Sequence, residues 1–217
     1  MFIGHFAAGF GAKKIDTRPS LGTLFIAAQL IDLLWPVFLL LGLEKVKVDP
    51  GNTAFTPLDF IYYPFTHSLL GVLIWALLLS VVYFALRRNR KGAVVLGGLV
   101  VSHWLLDLLT HRPDLALVPW VDIKVGLGLW NSVPLALIVE SALFFGGVYI
   151  YSRATTAKTK KGAVTLWSFV AFLFLVYVLN AFGSPPPSEK PVAYMALSMW
   201  LLVAWGYWID RNRKPAE

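Results

Sequence analysis

Gly97-Gly-Leu-Val-Val-Ser-His-Trp-Leu-Leu-Asp-Leu-Leu-Thr-His-Arg-Pro113 decides how the rest of the chain is read. Its ionisable side chains before Arg112 are His103, Asp107 and His111, spaced i, i+4 and i+8. On an α-helix these share one face, stepping roughly 40° in azimuth and about 6 Å in height. Every residue around them from Leu99 to Leu109, Ser102 excepted, is apolar. Two imidazoles and a carboxylate on one side of an oily helix need compensation, and a divalent cation bound by imidazole and carboxylate is a common form of it. The other reading is a polar seam of neutral, hydrogen-bonded histidines packed on a neighbouring helix.

The surrounding composition places that helix in a membrane. Of 217 residues, 58% are hydrophobic and 14% charged, against about 25% charged in soluble domains, and the mean hydropathy is +0.68. Six apolar stretches, at 20–43, 66–86, 92–111, 130–152, 162–182 and 191–209, are long enough for a hydrocarbon core of about 30 Å. The fold expected is an all-α, polytopic transmembrane bundle forming a single integral domain over 1–217. Residues 1–120 carry the metal-site half and 130–209 supply supporting helices. No cleavable signal peptide is expected, since no charged region precedes an apolar run at the N-terminus. Cysteine is absent, which excludes disulfides, thiolate ligands and a Cys nucleophile.

The net charge of +7 reads as topology. Lys13, Lys14 and Arg18, then Arg87, Arg88, Arg90 and Lys91, then Arg153, Lys158, Lys160 and Lys161, and finally Arg211, Arg213 and Lys214 fall on one side of a six-span layout. These are 14 of the 19 basic residues. The positive-inside rule then predicts an N-in, C-in protein of a bacterial or archaeal cytoplasmic membrane. No nucleic-acid module, P-loop, dinucleotide turn, Gly-x-Ser-x-Gly elbow or internal repeat is found, so no nucleic-acid partner is expected; membrane lipid is.

Outside the opening stretch, further polar residues fall at membrane depth. Met1–Ala12 is apolar, Gly-rich and too short to span, and contains His5. A re-entrant helix rising from Lys13 would lift His5 roughly 12 Å, and an amphipathic helix on the membrane surface is the equal alternative. Span one carries Gln29 and Asp32, and a carboxylate at mid-membrane is a functional hypothesis by default. Span two opens Phe65-Thr-His-Ser-Leu-Leu-Gly71, where Thr66 or Ser68 could cap the helix beside His67. The short Arg87–Lys91 connection makes spans two and three a hairpin whose paired residue numbers sum to about 178. That count sets His67 level with His111 and about two turns, roughly 11 Å, from His103. A tilt or an unwound start to span two is needed to bring them together. Glu140 in span four either joins the site or pairs with a neighbour such as Ser141. Arg112 either meets a phosphate or snorkels to the interface.

All four histidines thus accompany Asp32 and Asp107 in the first half of the chain. His near the N-terminus, Asp in the first span, Thr-His-Ser opening the second and Ser-His-x-x-x-Asp in the third resemble the YdjM-type inner-membrane proteins, a group of metal-dependent hydrolases. That group is in turn distantly similar to zinc-dependent phospholipase C and P1 nuclease. The resemblance covers about residues 1–120 and is most specific at Phe65–Leu70 and Ser102–Asp107. Where the family has Pro-Asp-x-Asp, this chain reads Leu30-Ile31-Asp32-Leu33 and keeps one acid.

The resemblance implies one or two divalent ions, zinc foremost. Asp107 would bridge them; Asp32, His67 and His103 would hold one ion, and His5 would help hold the other, with His111 and Glu140 nearby. The activity implied is phosphoester hydrolysis by a metal-activated water, on a lipid or lipid-linked substrate, with Asp107, His111 and Arg112 closest to the chemistry. Two other classes stay open: a cation- or proton-binding transporter or scaffold, and a haem protein using His67 and His111 as axial ligands.

Overall fold

The computed structural model describes residues 1–216. A short helix, α1 (Ile3–Ala12), precedes the first span, α2 (Leu21–Leu40). An antiparallel pair follows, β1 (Lys45–Val48) with β2 (Leu58–Tyr62), then a single turn, α3 (Pro64–His67), and the hairpin of α4 (Leu69–Arg87) and α5 (Arg90–Thr110). The two-residue strands β3 (Leu115–Ala116) and β4 (Lys124–Val125) lead to α6 (Val133–Ala154). Strand β5 (Thr155–Ala157) precedes α7 (Lys160–Phe182), and α8 (Glu189–Leu197) runs through Ser198 into α9 (Met199–Arg211). A last strand, β6 (Arg213–Pro215), pairs antiparallel with β5. Six helices are long and apolar enough to cross a membrane, α8 and α9 counting as one. They match the six expected spans.

Local signals account for the helix ends. Ser20 accepts from Thr23 N at 3.3 Å and Asn89 from Gly92 N at 3.0 Å, capping α2 and α5. Between α4 and α5 the chain turns on Arg88, which takes a left-handed conformation with φ 53°, a short route that keeps the two helices antiparallel neighbours.

Helix α2 lies between two apolar clusters. On one side Leu24, Ala28, Ile31 and Trp35 meet Val72, Ala76, Leu96, Val100 and Trp104 of the α4–α5 hairpin. On the other, Phe25 belongs to an aromatic cluster with Phe6, Phe10, Phe144, Tyr151, Phe169 and Tyr177. The rings of Phe25 and Phe169 stack at 5.5 Å, and Phe6 and Phe10 stand edge-on to Phe25 at 5.0 and 4.9 Å. Such pairs contribute roughly 0.5–1.5 kcal/mol each beyond area burial.

Helix α1 is therefore an internal element. Ile3, Phe6 and Phe10 are fully buried, which decides between the two readings of this segment in favour of insertion. Gly147 of α6 lets it approach closely: a Cβ there would sit 2.4 Å from the Ala7 carbonyl oxygen. Small residues serve this purpose in membrane interfaces, where apolar burial alone does not drive association.

The basic connections gather at one end of the bundle. Buried Lys13, just past α1, reaches Asp210 Oδ2 at 2.8 Å and the Pro19 carbonyl at 2.9 Å, while Tyr151 donates to Asp210 Oδ1 at 3.1 Å. Asp16 accepts from Arg18 Nε at 2.9 Å and from Asn89 Nδ2 at 3.0 Å, linking the α1–α2 and α4–α5 connections. Burial by itself raises the Asp16 carboxyl, but these hydrogen bonds outweigh it and lower the group to about 2.

Two predictions follow from this packing. Gly147→Ala should destabilise the protein by roughly 1–3 kcal/mol through overpacking against α1. Gly146→Ala, whose Cβ meets nothing within 4 Å, should be neutral or stabilising, since Ala is favoured over Gly in helices by about 1 kcal/mol; thermal unfolding in detergent separates the two. The depressed Asp16 carboxyl contributes stability above its unfolded value of 3.8 that is lost as pH falls through about 2. Asp16→Asn should remove that part of the acid-unfolding profile while leaving the profile near neutral pH unchanged in shape.

Candidate metal centre

Five polar side chains from four elements converge near the end of the bundle opposite the basic connections. His103 and Asp107 share one face of α5, Asp32 comes from α2, His67 from α3 and His5 from α1. His103 Nε2 lies 3.1 Å from Asp107 Oδ2 and 3.6 Å from Asp32 Oδ1. His67 Nε2 lies 3.5 Å from Asp32 Oδ1 and 4.0 Å from Asp107 Oδ2. The other oxygen, Asp107 Oδ1, meets His5 Nε2 at 3.0 Å and accepts from the Met1 amino group. All are buried except Asp32, whose side chain keeps 24% accessibility.

His67 reaches this cluster because span two does not begin as a continuous helix. Ser68 is extended, with ψ 149°, and separates α3 from α4. Its hydroxyl donates to the Pro64 carbonyl at 2.5 Å and accepts from Gly71 N at 3.0 Å, closing one turn and capping the next. The freed His67 carbonyl accepts from Trp104 Nε1 at 3.0 Å. The break closes the two-turn gap of the hairpin count: the His67 ring lies 5.8 Å from that of His103, and its Nε2 4.0 Å from Asp107 Oδ2.

The donor atoms test the fit to a cation. Donor atoms of Asp32, His67 and His103 lie within 4.8 Å of one another, as do those of His5, His103 and Asp107. Nε2 of His67 and of His103 lies 3.1 to 4.0 Å from Asp32 Oδ1 and Asp107 Oδ2. Tetrahedral bonds of about 2.0–2.2 Å to zinc require donor separations of roughly 3.3–3.6 Å. His103 Nε2 makes no hydrogen bond although it is fully buried, and its 3.1 Å approach to Asp107 is out of alignment for one. Meanwhile His103 Nδ1 lies 2.8 Å from the Ala28 carbonyl, which can only accept. That bond puts the ring hydrogen on Nδ1 and the lone pair on Nε2, the arrangement of a metal-ligating histidine. Asp32, His67 and His103 fit one divalent cation, with Asp107 Oδ2 at 4.0 and 3.1 Å from the His67 and His103 nitrogens. His5 forms the second group with His103 and Asp107, where its Nε2 is hydrogen-bonded to Asp107 and its ring stacks on His103 at 3.6 Å and 5°.

A family model described as YdjM inner membrane protein matches residues 3–184. The chain belongs to the YdjM inner membrane protein family. It is an integral membrane protein, and the match runs well beyond residues 1–120, through α6 and α7. No curated protein and no solved structure matches the chain.

In this YdjM-family protein the remaining site candidates stand elsewhere. Helix α5 ends at Thr110, and His111 is extended at ψ 148°. Its Nδ1 lies 2.9 Å from Asp114 Oδ1, which also accepts from the Tyr63 hydroxyl at 2.7 Å. Burial, reinforced by the Asp114 carboxylate, holds that hydroxyl protonated well above its usual range. Arg112 pairs with Asp59 and approaches Asp114 Oδ2 at 3.5 Å, so two carboxylates engage its guanidinium. Tyr63 packs against both His67 and His111, with ring centroids at 5.0 and 6.1 Å. Glu140 is fully buried and accepts from Phe2 N at 2.9 Å, securing the start of α1 rather than pairing with Ser141.

Glu44, which sequence spacing does not single out, also matters, and Thr66 matters in a role other than capping. Thr66 Oγ1 lies 2.7 Å from His67 Nδ1, and buried Glu44 accepts from both Thr66 N and Thr66 Oγ1. A hydroxyl beside a histidine is a weak signal, and Glu44, in the connection after α2, has no fixed spacing to either.

Ser68→Ala removes the cap of α4 and should cost about 0.5–2 kcal/mol, read as a lowered thermal midpoint. Ser68→Thr, which keeps the hydroxyl, should restore most of the loss.

Proposed function

We propose that this protein is a membrane-embedded, metal-dependent hydrolase acting on a phosphoester of a lipid or lipid-linked substrate. One observation carries the reading: two buried imidazole nitrogens and two carboxylate oxygens share ligand-like separations, and one of those nitrogens, on His103, has no hydrogen-bond partner. Asp32, His67, His103 and Asp107 would hold the ion. A divalent cation bound there supplies Lewis acidity, which polarises a phosphoryl oxygen and acidifies water without a Ser or Cys nucleophile.

The chain's own groups complete the site. His5 hydrogen-bonds Asp107 Oδ1 and, by stacking on His103, holds that ring in place. Asp32 is the cluster's one side chain with substantial accessibility, so substrate and water approach along it. We place the basic end of the bundle in the cytoplasm. His103, thirteen residues along α5 from Arg90, then lies about 20 Å across the bilayer, in its outer half. Walls this apolar favour a headgroup entering laterally from the lipid over a soluble substrate. Arg112 is held by its carboxylate partners and does not serve as the phosphate anchor.

Purified protein should contain close to one equivalent of zinc or a similar divalent metal, and His103→Ala should contain almost none. Asp107→Asn should bring release of phosphate or headgroup from phospholipid and lipid-linked phosphate substrates down to background while the protein still folds. Stoichiometric metal with no turnover on any such substrate would leave a cation-binding or transport role in place of hydrolysis.

A further inference from the structure

We propose that Glu44 acts through Thr66 to fix which ring nitrogen of His67 faces the cluster, making both positioning residues for cation binding. Only the last step, from tautomer to affinity, rests on the metal reading above.

With the Glu44 carboxylate ionised, the hydrogen-bond directions follow in turn. An ionised carboxylate accepts and never donates, and a hydroxyl has one hydrogen to give. Glu44 Oε1 accepts from Thr66 N at 2.8 Å, and Oε2 accepts from Thr66 Oγ1 at 2.7 Å. With its hydrogen committed to Glu44, Thr66 Oγ1 meets His67 Nδ1 at 2.7 Å as an acceptor. Nδ1 therefore carries the ring hydrogen, and in the neutral imidazole the lone pair lies on Nε2. That is the atom 3.5 Å from Asp32 Oδ1 and 4.0 Å from Asp107 Oδ2. The opposite tautomer would point an N–H at the cation's place.

His103 obtains the same orientation from the Ala28 carbonyl, a backbone group that side-chain substitution leaves in place. His67 instead depends on a carboxylate in the connection after α2, buried to 1% exposure. A buried acid needs a reason to be there, since burial without partners is costly. Outer partners of this kind typically alter metal affinity about 10–100-fold when removed.

The test uses the full-length protein with 15N-labelled histidine. In metal-free wild type, His67 should show the Nδ1–H tautomer. Glu44→Gln replaces an acceptor oxygen by an amide donor to Thr66 Oγ1, which releases the hydroxyl hydrogen toward His67. The tautomer should shift toward Nε2–H, and zinc affinity, measured by chelator competition, should fall about 10–100-fold. Thr66→Val should weaken zinc binding similarly, and Thr66→Ser, which keeps the relay, should match wild type in both readouts. Finding Nε2–H in wild type, or a folded Glu44→Gln protein with unchanged tautomer and affinity, overturns the proposal. A wild type that binds no zinc yet shows the tautomer shift in Glu44→Gln upholds the positioning of His67 and overturns the metal reading instead.

Discussion

Carboxylates at Asp32 and Asp107, inside a bundle that otherwise offers hydrocarbon, set the terms for everything around them. An unpaired charge in such a medium is heavily penalised. At Asp107 the Met1 amino group and His5 Nε2 answer that penalty, and the Nε2 atoms of His67 and His103 converge on both acids. Each imidazole imposes a local demand: an internal α1 for His5, an interrupted span two for His67, and an α2 carbonyl, that of Ala28, within reach of His103. The less regular parts of the fold are those the acids require.

The supporting half is part of that arrangement. Phe144 and Tyr151 of α6 and Phe169 of α7 surround the apolar face of α1, while Glu140 takes the backbone hydrogen at its start. Helices without a ligand of their own thereby fix the height and rotation of His5. The division of the chain into a site half and a scaffold half describes where ligands sit in sequence, but the packing joins the two through α1.

Much of this was legible before any coordinates. Six spans follow from apolar length, and His103 with Asp107 from a four-residue spacing on one helix. His111 shows where the same rule stops. The i+8 position shares the face only while the helix continues, and Pro113 disfavours helical backbone at Arg112; α5 closes one residue before His111. His67 was placed at the wrong height because a hairpin count assumes unbroken helices, and nothing in Thr-His-Ser states that the chain will extend at Ser68. Glu44 lay beyond reach for another reason. Its partners are set by how a connection folds back over the bundle, and no periodicity encodes that.

The burial of α1 also bears on the order of assembly. During synthesis earlier elements emerge before later ones, yet much of the surface that encloses α1 belongs to α6 and α7, and Lys13 at its end is neutralised by Asp210 of α9. This helix can meet α2 and α5 early, but its enclosure is complete only once the later spans are in the membrane. The apolar casing that holds His5 against Asp107 is therefore finished only in a completed bundle, and a partly inserted chain has its acids and histidines without the walls that enclose them.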